Sequence, residues 1–199
     1  MDTKKILGDY VSDLLGVEKH CLEAVERQTG DEKFTRYPEA HHLLQKMEGT
    51  LRTQTESLDR AFSTLGEQQG SIARQAEAYA TKAVASAAGA IAGMYGKLRP
   101  EDPVSRSLRD YYTTLNLIAI SCTMLHTTAL AVREQGVADL ALKNLNELTP
   151  IIVELSRVIP EVVTKELSEE GKVIDPSVWR EAIESSQRAW SPKVTGTYH

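Results

Sequence analysis

Apolar residues along this 199-residue chain recur every three to four positions, and no stretch alternates with period two for long enough to form a sheet. The first run predicts a helix over about 3–28, with Leu7, Val11, Leu14, Cys21, Leu22 and Val25 on one face and Gly30 as its stop. A loop holding Phe34 and Tyr37 leads to a second helix that starts at Pro38, whose fixed φ suits a first turn. Its stripe is Leu44, Met47, Leu51, Gln54, Leu58, Ala61 and Leu65, and Gly66 is its expected end. The third helix, about 104–135, carries Tyr112, Leu115, Ile118, Cys122, Leu125, Ala129 and Val132. Ile120 and Met124 make its other side apolar too, which predicts a central helix. The fourth, about 138–167, turns Leu145, Leu148, Ile152, Leu155, Ile159 and Val162 inward, and Pro150 and Pro160 are expected to kink or divide it. Last comes IDPSVWREAIESSQRAW, a short helix capped by Asp175, with Pro176 in its first turn and Trp179, Ile183 and Trp190 on one face.

Helices 2 and 3 are separated by an alanine- and glycine-rich segment, 71–98, with a GxxxG spacing at Gly89 and Gly93, and by the break RPEDP at 99–103. A long connection at that point predicts an all-α, ferritin-like four-helix bundle with a long helical crossover between helices 2 and 3 and a short C-terminal accessory helix. The bundle is expected over 1–170, and the accessory helix and tail over 171–199.

The net charge of −5, with no Lys/Arg cluster, argues against a nucleic-acid partner. Cys21 and Cys122 lie far apart and form no CxxC, as expected of buried thiols in a reducing compartment. The opening MDTKKILGDYVSDLLG interrupts its apolar residues with Asp and Gly and lacks a signal-peptide core. The uncharged stretch LIAISCTMLHTTALAV, 117–132, falls short of the roughly 20 residues that span a bilayer. A cytoplasmic protein with no transmembrane segment is the expectation.

A ferritin-like bundle holds two metals with a Glu from each of two helices and a Glu-x-x-His pair from each of the others, since i and i+3 share a face. Glu18 meets this on helix 1, either as a ligand or as a carboxyl at the stripe's edge that reaches water. Helix 2 offers no Glu-x-x-His, and its His41 and His42 fall near the start, a solvated pair. Helix 3 offers His126, more readily a hydrogen-bonded core histidine than a ligand, one turn from Cys122. On helix 4, Glu147, Glu154 and Glu161 repeat every seven residues beside the apolar stripe, as a solvated face does. The candidate metal ligands are therefore Glu18, His126 and Glu154.

LLGVEKHCLEAV (14–25) and QTESLDRAFSTLGE (54–67) resemble the first and second helices of bacterial ferritin-like proteins of the YciF type. The resemblance extends loosely over residues 5–167, and it implies that Glu18 corresponds to a diiron ligand. The family's remaining ligand positions fall on Met47, Thr50 and Leu51 in helix 2 and on Ile118, Ala119 and Ser121 in helix 3. That implies a bundle whose diiron site is degenerate.

The expected function is then non-catalytic: self-association, with a homodimer as the expected form, or binding of a protein partner, in a stress-related role and with no cofactor. The first alternative is a diiron or mononuclear metal oxidoreductase using iron on Glu18, His126 and Glu154. The second is a bundle that takes an apolar ligand between the Ala/Gly segment and helix 3.

Overall fold

The computed structural model describes residues 3–67, 103–172 and 174–190, which form helices and no strands. In chain order these are α1 (Thr3–Thr29), α2 (Glu32–Thr35), α3 (Pro38–Glu67), α4 (Val104–Ala131), α5 (Gln135–Glu169) and α6 (Val178–Trp190). The Ala/Gly segment 71–98 with its GxxxG, most of RPEDP and the tail from 191 lie outside the described residues, as does the apolar-ligand space expected beside that segment.

The four long helices pack as a ring: α1 lies against α3 and α4, and α5 lies against the same two. Cross-helix bonds show that every neighbour is antiparallel. Lys19 meets Asp59 and Arg52 meets Glu26 between α1 and α3. Lys46 meets Glu154 between α3 and α5, Gln28 meets Ser107 between α1 and α4, and Ser105 N–H donates to Glu166 between α4 and α5. It follows that the end of α3 and the start of α4 stand at opposite ends of the ring.

The stripes read from sequence face the interior. Leu7, Val11, Leu14, Cys21 and Val25 of α1 are buried, with Leu44, Met47, Leu51 and Leu58 of α3 and Leu115, Ile118, Cys122 and Leu125 of α4. Burial of this apolar surface, at about 25 cal/mol per Å², is what holds the helices together. The salt bridges between them are exposed and contribute little.

Three local readings need correction. α5 runs unbroken through Pro150 and Pro160. Packing along its length against α3 and α4 compensates the two lost backbone donors, and Thr164 adds a side-chain bond to the Pro160 carbonyl. The loop at 31–37 contains the helical turn α2, capped by Asp31 on the Lys33 N–H and plugged into the core by Phe34. α4 is not wrapped on all sides: Leu117, Ile120, Met124 and Leu130 of its outer face are exposed. By length and composition it is apolar enough to cross a membrane, but its other face is packed into the core. The expected accessory helix is α6, which buries no residue fully and packs chiefly on α5, with Trp190 at its last position 78% exposed. Asp175 does cap the turn before it, accepting from the Ser177 N–H and hydroxyl.

Two turns close the hairpins. After α4 the backbone reverses through Arg133 at φ 63°, the left-handed region. α5 ends at Gly171, φ 76°, whose N–H bonds the Ser168 carbonyl.

Candidate functional site

Each long helix sends a polar side chain into one layer of the ring interior. From α1 comes Glu18, fully shielded from solvent one turn beyond Leu14. α3 contributes Gln54, whose amide N–H groups donate to the Asn144 carbonyl and to Glu147 Oε2, both at 3.1 Å. α4 supplies Cys122, and α5 supplies Asn144 and Glu147.

Helical spacing explains the convergence. Glu18 is four residues from Leu14 and three from Cys21, so a helix that buries those two buries it as well. Gln54 sits between Leu51 and Leu58 on the stripe of α3 in the same way. Glu147 arrives through a rotation of α5: its innermost column is Ala141, Asn144, Leu148, Ile151, Leu155 and Val158, one position away from the stripe of larger residues. That rotation brings Glu147 to the rim of the core.

The electrostatics of the layer are those of an unpaired acid. Among the described residues neither carboxyl oxygen of Glu18 has a hydrogen-bond partner. Burial, and then the nearby Glu147 carboxylate, push its pKa well above the ordinary value. The site therefore favours the neutral form of Glu18. The Cys122 thiol is pushed up to about 12 by burial and then by Glu18, so it is protonated and no nucleophile.

The candidates from sequence are dispersed. Glu18 is in the layer and does not reach water. His126 is half-buried one turn along α4, its Nδ1 2.8 Å from the Ala138 carbonyl, where it ties the end of α4 to the start of α5. Glu154 faces outward and pairs with Lys46 at 2.6 Å. His41 links α3 to α1 through the Thr29 carbonyl, 3.2 Å away, and His42 is exposed. Sequence reasoning placed Glu147 on a solvated face and passed over Asn144; the stripe position of Gln54 was the one available signal. Replacing His126 by Ala should cost about 1 kcal/mol by removing the bond to Ala138, read as a lower urea midpoint with an unchanged slope.

The layer fits a metal poorly. Among the described residues no three His, Cys, Asp or Glu side chains come together in a way that could hold an ion. Gln54 stands where a third carboxylate would be needed, and a neutral acid and a protonated thiol are weak donors. No family model, no curated protein and no solved structure matches this chain.

Proposed function

We propose that this chain is a ferritin-like four-helix bundle, related in layout to the YciF type, whose metal layer has been replaced by a neutral carboxyl and amide packing. It acts by association, with a second copy or with a protein partner, rather than by metal chemistry. The observation that carries this reading is Glu18: a carboxyl with no partner, in the layer where a ferritin-like site requires several ionised ones. The ring of antiparallel helices, with α3 and α4 joined end to opposite end, supports the one-crossover layout.

The proximity of Glu18 to Glu147 favours the competing reading, a metal oxidoreductase, since two facing carboxylates are the start of a cation site. Metal analysis of protein purified without chelators separates the two. Association without metal predicts far less than one iron per chain, with no change on Glu18→Ala. About two irons per chain, lost in that variant, would establish the metal site instead.

A further inference from the structure

We infer that the polar layer of the ring is a water site, in which internal water bridges the side chains of Glu18, Gln54 and Asn144. The inference rests on the metal-free layer proposed above and says what completes its hydrogen bonds. Three helices each bring an orphaned polar atom to this layer. Among the described residues these are both carboxyl oxygens of Glu18, Oε1 of Gln54 and Nδ2 of Asn144. The three residues are 0%, 1% and 1% exposed, so bulk solvent does not reach them. Buried polar atoms in folded proteins are nearly all paired, with protein or with ordered water.

The amide of Gln54 cannot solve the problem by turning over. Its N–H groups donate to the Asn144 carbonyl and to Glu147 Oε2, both at 3.1 Å. Exchanging its nitrogen and oxygen would set a carbonyl against two acceptors, so Oε1 is fixed as the free acceptor. The same two bonds tie Asn144 and Glu147 to Gln54, and Glu147 lies within electrostatic reach of Glu18. At the rim Glu147 is 38% exposed, with Oε2 turned to Gln54 and Oε1 3.8 Å from Lys143. The layer therefore has one wet edge, and water enters past Glu147.

The chemistry of the orphaned atoms selects the occupant. A neutral Glu18 offers one donor and one acceptor, Gln54 Oε1 an acceptor and Asn144 Nδ2 a donor. Donors and acceptors balance, which matches the two hydrogens and two lone pairs of water, and a buried water takes two to four such bonds. A cation would face the hydrogens of Asn144 and of the Glu18 carboxyl. An anion would face Gln54 Oε1 and the Glu147 carboxylate. An apolar molecule would leave every one of these atoms unpaired. Water also brings no charge, so Glu18 gains hydrogen bonds without gaining a counter-ion.

The test is water-selective NMR on the full chain, isotope-labelled and shown to be free of iron. The expected result is a through-space cross peak from water to the Asn144 Nδ2 protons, with the sign of a held water and not of chemical exchange. Glu18→Gln keeps a donor and an acceptor but removes the carboxyl proton that could relay such a signal. The peak should persist in that variant, and its side-chain amide at position 18 should show one too. Glu18→Leu removes both groups, and the Asn144 peak should be lost. No peak at Asn144 in wild type and Glu18→Gln would overturn the inference, as would a peak undiminished in Glu18→Leu. Should Glu18→Leu fail to fold, the wild-type and Glu18→Gln spectra decide alone. About two irons per chain would overturn the metal-free reading itself, a failure distinct from dry amides in iron-free protein.

Discussion

Replacing Phe34 by alanine should destabilise the protein by about 3–5 kcal/mol, the range for emptying a fully buried aromatic site. Phe34 is the buried residue of α2, a single helical turn between α1 and α3. It is wholly shielded from solvent, and beside it Tyr37 is buried with its hydroxyl on Glu169 at 3.0 Å. Hydrogen bonds also hold the turn, among them one from Lys165 of α5 to the Arg36 carbonyl. Asp31 accepts from the Lys33 and Phe34 N–H groups, and Tyr37 N–H returns to the Phe34 carbonyl. The truncation leaves a cavity at one end of the ring that so short a segment, pinned on both sides, can close only partly. For a chain of this size the melting temperature should fall by roughly 6–20 °C. Glu32→Ala, on the exposed side of the same turn, should change stability by less than about 0.5 kcal/mol. Equal losses in both variants would mean that the turn, and not the Phe34 ring, holds this end of the molecule.

Glu18→Gln should stabilise the protein near neutral pH, on the order of 2 kcal/mol, because it removes an acid that folding must keep neutral. The sign follows from the direction of the pKa shift. The folded value lies above the ordinary 4.5, with burial as the first cause and Glu147 as the second. Above pH 4.5 the unfolded chain has released a proton that the folded state still holds. Wild-type stability is therefore greatest below that value and falls as pH rises toward the folded pKa, by up to about 1.4 kcal/mol per pH unit. The advantage of Glu18→Gln should be least below pH 4.5 and grow as pH rises above it. Chemical denaturation at several pH values reads it directly. An advantage that is flat with pH would show that Glu18 is not held neutral by the fold.

Much of the architecture was legible because α1, α3 and α4 each carry a narrow stripe of large apolar side chains, and such a stripe leaves one way to pack. Thr3, Pro38 and Val104 begin helices close to where the pattern starts. α5 was harder, since apolar side chains line several of its columns and periodicity cannot choose among them. The column that packs includes Ala138, Ala141 and Asn144, whose small size allows close approach. That choice decides whether Glu147 meets water or Glu18, so part of the site was hidden in a rotation of a few tens of degrees. Phe34 was visible only as a loop residue, because a four-residue helix has no period to detect. Ile120 and Met124 show the opposite failure: an apolar back on α4 read as a central helix, while the ring leaves that side uncovered.

The account stands or falls on Glu18 being a neutral acid with nothing to pair with. Its side-chain carboxyl can be followed by carbon NMR through a pH titration of chelator-free protein. The expected trace shows Glu18 losing its proton only above the ordinary carboxylate range. A Glu18 that titrates at or below the ordinary carboxylate value would contradict the account, because a charged carboxyl in that layer requires a cation to hold it there.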